Sequence, residues 1–195
     1  MAEKNRAEEG SDSAVVGRLQ KSRLQKLQRD IKRIEKEMKT VVAQNPDLEH
    51  DAKLIDSIYG VGFITAVAVL AELGDLRRFT RGRQLSAFVG TAPCNHDSGS
   101  SVHKRPRMSK AGEPRVRALL YMCAMVAVSG DNDFADTYHR LIAAGKPKMA
   151  ALGAIMRKLL LVMRALVISG QPYAPHFNRR RKSVHNCSPK EQKSP

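Results

Sequence analysis

A serine directly followed by a glycine, Ser98-Gly99, stands in the turn-rich run Asn95-His96-Asp97-Ser98-Gly99-Ser100-Ser101. A dense set of cations follows it: Lys104, Arg105, Arg107, Lys110, Arg115 and Arg117. Glycine has no Cβ, so a partner can approach the backbone beside the hydroxyl closely. Guanidinium and ammonium groups around that hydroxyl suit a substrate that carries phosphates. The chemistry this spacing points to is an alcohol presented to a nucleic-acid backbone. A free serine hydroxyl is a weak nucleophile until a base or a metal activates it. His96 and Asp97 invite a local relay, but adjacent loop residues seldom point at one another usefully. Ser100 and Ser101 have no glycine directly after them and fit the pattern less well.

The totals agree with a polyanionic partner. The formal charge is +15 and the isoelectric point is near 10.1, which favours nucleic acid first and an acidic membrane surface second. Between Arg77 and Arg117 ten Lys and Arg residues face two acids, Asp97 and Glu113, a local excess of +8. A merely soluble surface mixes its signs more evenly. The three cysteines, Cys94, Cys123 and Cys187, are odd in number and have no CxxC spacing. That argues for a reducing compartment and against a disulfide framework or a structural zinc. Cys94 and His96 lack a second ligand pair at usable spacing, so no metal site is expected. No signal peptide opens the chain. The apolar runs 118–128 and 159–168 are too short to span a membrane, so a cytoplasmic location is expected.

The elements that must position these residues read as all-α. Residues 1–16 are polar and read as disordered. Within 17–45, Leu24, Leu27, Ile31, Ile34, Met38 and Val41 step by threes and fours. That is a heptad seam, either a coiled-coil helix that makes a homo-oligomer or an amphipathic helix packed on its own domain; the two weigh equally. Asn45-Pro46-Asp47 is expected to end it. Residues 46–175 then read as one compact helical domain. Its stretch 54–73 carries Gly60-Val61-Gly62 between two short helical patterns, the helix-hairpin-helix arrangement. There Gly60 and Gly62 would expose backbone N–H groups to a DNA phosphate at a helix start. The alternative is an ordinary αα-corner whose glycines allow close packing.

Arg77 and Arg78 follow in a basic connector, and Thr80 is a candidate cap for a helix through Gln84–Val89 that stops at Gly90. The serine loop occupies 91–112. Glu113-Pro114 opens a helix whose predicted buried stripe is Val116, Leu119, Leu120, Cys123 and Val126. A helix over 133–144 and a long apolar one after Pro147, the spine of the core, complete the domain. The tail 176–195 is basic and reads as disordered, adding non-specific attraction to nucleic acid.

Several stretches occur in one order: SIYGVGFITAVAVLAELGDLRRF, RQLSAFVGTAP, the Ser-Gly pair, MSKAGEPRVRALLYMCA, GKPKMAALGAIMRKLLLVM and a final PY. Over residues 54–173 they resemble the C-terminal domain of the serine-dependent transposases related to the Piv DNA invertases, also called bridge-RNA recombinases. The resemblance implies that Ser98 of the Ser98-Gly99 pair attacks a DNA phosphodiester. It also implies that Lys110, Gly112, Arg115 and Arg117 match the basic segment after that serine. DNA is then the partner, with a guide RNA as a second one that the family admits. Full-length relatives carry an N-terminal RuvC-like domain with four carboxylates that bind magnesium. Here only polar residues precede the coiled-coil helix, so that domain is expected to be missing. No cofactor is expected on this chain, and magnesium is implied only through a RuvC-like domain, for instance on a separate chain.

Three readings follow. In the first, the chain is part of a recombinase that uses Ser98. In the second, it is a helix-hairpin-helix module that binds DNA or RNA without chemistry. In the third, it is a remnant of an insertion element that does neither. As DNA-binding residues the first two nominate Gly60, Gly62, Arg77, Arg78, Lys104, Arg105, Arg107, Lys110, Arg115 and Arg117.

Overall fold

The computed structural model describes residues 14–98 and 102–175, with the backbone alone for 14, 95–98 and 102–106. Helix α1 (Ala14–Ala43) runs for 30 residues, about 45 Å at the usual rise per residue. It lies in a first unit that ends at Glu49. On the single chain Leu27, Ile31, Ile34 and Val41 of the expected seam stand exposed, whereas Leu24 and Met38 are half-buried. Pro46 does more than end this helix. It opens the next one, α2 (Pro46–Asp56), where its missing N–H is no loss. The Asn45 side chain accepts from the Leu48 amide at 3.3 Å, the contact an N-cap makes.

The second unit starts at His50. After α2 it contains α3 (Phe63–Leu73), a 3₁₀ turn (Leu76–Arg78) and α4 (Gly82–Val89). Strands β1 (Pro93–Ser98) and β2 (Val102–Met108) follow, then α5 (Pro114–Ala127), α6 (Asp133–Ala143) and α7 (Lys148–Ser169). Among the described residues the fold is mostly helical, as the hydrophobic periods predict, with one two-stranded hairpin as the exception.

Helix α7 is the spine. It buries Ala151, Leu152, Ile155, Leu159, Leu160 and Met163, among others, and packs against α4, α5, α6 and the 3₁₀ turn. Its cations serve the fold. Arg164 donates to the carbonyls of Phe79 and Thr80 at 2.8 and 3.0 Å, and Arg157 to the Ser86 hydroxyl at 3.3 Å. The Lys158 ammonium reaches the Asp133 carbonyl at 3.0 Å and Thr137 Oγ1 at 2.7 Å, and its burial pulls its pKa down. Asn132, itself buried, caps α6 by accepting from the amides of Phe134 and Ala135. It also donates to the Ala127 carbonyl, tying the end of α5 to the start of α6.

Three local expectations change. Helix α4 begins at Gly82, and the Thr80 hydroxyl bonds the Gln84 side chain at 2.9 Å rather than capping a backbone amide. The buried stripe of α5 is Val116, Leu120, Cys123, Ala124 and Ala127, and Val126 faces outward at 48% exposure. One step of rotation about the axis separates the two stripes, because small alanines fill the core side. The 91–112 segment is no loop. Its middle is an antiparallel hairpin, with Pro93 paired to Met108, Ser98 to Val102, and a bulge between Cys94 and His96. Each strand of a two-stranded ribbon keeps one unpaired edge, which is where Pro106 is tolerated.

Candidate nucleic-acid interface

Hydrogen bonds to the end of α4 fix the hairpin's base. The amides of Thr91 and Ala92 both donate to the Ser86 carbonyl, at 2.9 and 3.1 Å. On the returning side Ser109 N–H donates to the Ala92 carbonyl at 2.9 Å and Lys110 N–H to that of Gly90 at 3.0 Å. The strap Ser109–Gly112 therefore laps across the C-terminus of α4. Two glycines make this close approach possible. Gly90 has φ +78°, and a Cβ on it would stand 2.5 Å from the Ala111 carbonyl oxygen. Gly112 has φ +133°, and a Cβ there would overlap the Phe88 carbonyl. Lys110 itself has φ +56°, unusual for a residue with a side chain. Such a residue persists where its surroundings over-determine it, at a cost of order 1 kcal/mol.

The strap leads straight into α5, so Lys110, Arg115 and Arg117 lie within eight residues of one another around its start. Lys110 and Arg115 are exposed, and the Arg115 guanidinium makes a long 3.3 Å ion pair with Glu72. Arg117 is half-buried and donates to the Val89 carbonyl at 2.9 Å. Arg107, exposed, pairs with Cys94 near the hairpin base. The backbone of Lys104 pairs with that of His96 further out on β2, and Arg105 lies between them and the base. The side chains of Lys104 and Arg105 are outside the described residues. Ser98 is the last residue of β1, roughly 16 Å along the strand from Pro93 at the usual rise. Gly99 lies outside the described residues.

The other nominated cations differ. Arg77 makes a bidentate pair with the buried Asp51 carboxylate, at 2.6 and 2.8 Å, and a longer contact with Asp75 at 3.4 Å. The bond to Asp51 pushes the Arg77 pKa still higher, so its charge is fixed and already answered. Arg78, next in sequence, lies over the rings of Phe79 and Phe88 at 4.8 and 5.3 Å. That leaves its exposed guanidinium free of any carboxylate among the described residues.

The two glycines of the 57–62 turn also divide. Gly60, with φ +87°, sits against α5, where a Cβ would meet Ala127 N at 2.9 Å. It serves close helix packing. Gly62 has ordinary φ, nothing within 4 Å of its would-be Cβ, and an exposed position at the N-cap of α3.

Among the described residues no group of three or more His, Cys, Asp or Glu side chains could hold a metal ion. Cys123 is buried and its thiol pKa is pushed up by that burial, while Cys94 is exposed. No helix among the described residues is long and apolar enough to cross a membrane. Two features escaped the sequence reading. One is the Asp51 carboxylate that claims Arg77, 26 positions away. The other is a cavity of about 310 Å³ beside Lys110 and Arg117. Neither has a local signal, since both arise where distant elements meet.

A basic, mostly helical unit with a cation-rich strap suits a domain that handles nucleic acid. Residues 52–139 match the transposase family described as IS116/IS110/IS902. The pilin gene-inverting protein of Moraxella bovis is 33% identical over 129 residues, covering 66% of this chain and 40% of that protein. The transposase for insertion sequence element IS1111A of Coxiella burnetii is 42% identical over 86 residues, 44% of this chain and 22% of that protein. A probable family 20 transposase of Pseudomonas aeruginosa is 27% identical over 158 residues, 80% of this chain and 45% of that protein. The chain thus spans less than half the length of these relatives.

Proposed function

We propose that this chain is the serine-bearing part of an insertion-sequence transposase, a DNA recombinase whose strap holds the DNA backbone and whose Ser98 attacks it. The observation that carries this reading is the junction of hairpin and strap. The strand that ends at Ser98 and the segment bearing Lys110, Arg115 and Arg117 are tied to the same end of α4. Phosphate contacts from these cations, with Lys104, Arg105 and Arg107 along β2, would position a duplex without reading its sequence.

In the reaction Ser98 Oγ bonds to the phosphorus as one bridging P–O bond of the strand breaks. The serine proton passes to a base, and the leaving deoxyribose oxygen takes up a proton to become a free hydroxyl. Cations near the transferring phosphoryl group stabilise its charge. Magnesium would come with a RuvC-like domain, on a separate chain or elsewhere in the same protein. A guide RNA would be held by the same phosphate-binding cations, and the exposed α1 seam would join copies into a homo-oligomer.

End-labelled duplex DNA tests the reading. The chain alone is expected to bind it, more weakly as salt rises, without joining strands. With a RuvC-like chain and magnesium added, a covalent protein–DNA adduct should form and Ser98→Ala should abolish it while leaving binding intact. An adduct that survives Ser98→Ala would overturn the assignment. A binding module without chemistry is the second reading, favoured by the open N-terminus of α3 at Gly62. It predicts binding and no adduct under any of these conditions.

A further inference from the structure

Beneath the strap, Met108, Tyr121, Met149, Gly153 and Met156 line a cavity of about 310 Å³, with Lys110 and Arg117 also on its wall. Its size is at the lower end of small-molecule sites, about 300 to 1,000 Å³, which suits one flat ring system. Gly153 keeps it open. A Cβ there would stand 3.0 Å from Met108 Cε, so even alanine would press on a side chain that walls the cavity. Glycine inside a helix such as α7 is less stable than alanine by roughly 0.5–1 kcal/mol, and here its bare face lets the Met108 thioether lie against the helix at the cavity wall. The apolar walls are three flexible thioethers, the Leu152 side chain and a phenol ring, and thioethers adapt to and attract an aromatic face. Met149, 66% exposed, marks the mouth. Among the described residues neither Lys110 nor Arg117 pairs with a carboxylate.

An apolar slot with two cations at its side matches an amphiphile that is aromatic at one end and anionic at the other. On a chain whose strap engages DNA, that ligand is one unstacked nucleotide. We infer that this cavity receives a nucleobase turned out of a single-stranded segment, with its phosphate on Lys110 and Arg117. This rests on the reading that the strap binds DNA. It adds that the chain grips unpaired strands through a base as well as through phosphates. Stacking of this kind is tolerant of base identity.

The test compares a labelled single-stranded oligothymidylate with an abasic oligomer of the same length and charge, at one salt concentration, on the full chain. The base-bearing strand should bind about tenfold more tightly, the size of one lost base contact. Gly153→Leu, which fills the cavity, should bring the two affinities together. Met149→Ser, at an exposed position that leaves the fold intact, should narrow the gap. Equal affinities for the two strands in the unaltered chain would overturn the inference while leaving DNA binding in place. So would a preference that persists undiminished in Met149→Ser. Failure to bind either strand at low salt would overturn both the inference and the strap reading.

Discussion

The Gly60–Gly62 turn and the Ser109–Gly112 strap are both glycine-bearing connections that lead into a helix, and both resemble places where a backbone could meet a phosphate. They are built for different ends. At the turn the strained glycine faces inward against α5, and no lysine or arginine lies between Ser57 and Leu76. At the strap the strained glycine also faces inward, against α4, but the packing there presents Lys110 and delivers Arg115 and Arg117 just beyond. Tight glycine packing is therefore no mark of a phosphate site. What distinguishes the strap is charge left without a strong carboxylate partner beside a rigid backbone.

The largest effect that sharpens this contrast falls on stability. Gly60→Ala places a Cβ against α5 and imposes a positive φ on alanine, and should destabilise by about 3 kcal/mol in urea titration. A near-neutral result would mean that the turn can relax away from α5. Next comes Arg77→Ala. It leaves the buried Asp51 carboxylate without its bidentate partner, a loss of about 2 kcal/mol, and the salt dependence of DNA binding should stay as it was. A flatter salt slope would show Arg77 on phosphate after all.

The double change Lys110→Ala with Arg115→Ala should scarcely affect stability, because both residues are exposed. It should lower DNA affinity by about tenfold and reduce the salt slope by up to about 2. An unchanged slope would remove the strap from the interface. The smallest effect is expected for Gly62→Ala, where nothing stands within 4 Å and φ is ordinary. Stability should move by no more than about 0.5 kcal/mol. DNA affinity should hold too, unless the start of α3 touches phosphate.

The helices were legible because their signals are local. Gly90, Gly145 and Gly170 all take positive φ at helix ends, and the apolar period of α7 marks the core directly. The hairpin was hidden because its strands are polar, with no alternation of apolar residues to mark a buried face. Val126 was misplaced because a helical stripe read from large residues overlooks Ala124 and Ala127, which hold the core side. At the site, composition marked the cluster of cations but could not divide it. Arg77 and Arg78 are the same residue type side by side, yet one is bound to Asp51 and the other lies on aromatic rings. Only the approach of α2 to the 3₁₀ turn decides that, and it is a fact of tertiary packing.

The central claim is that one particular oxygen on this chain becomes joined to DNA. Mass spectrometry of peptides from a trapped protein–DNA complex, formed with a RuvC-like chain and magnesium present, addresses it directly. The account predicts a nucleotide carried on the peptide that contains Ser98, with the modification on that residue. A nucleotide mapped to Ser100, Ser101 or a site outside the hairpin would contradict it.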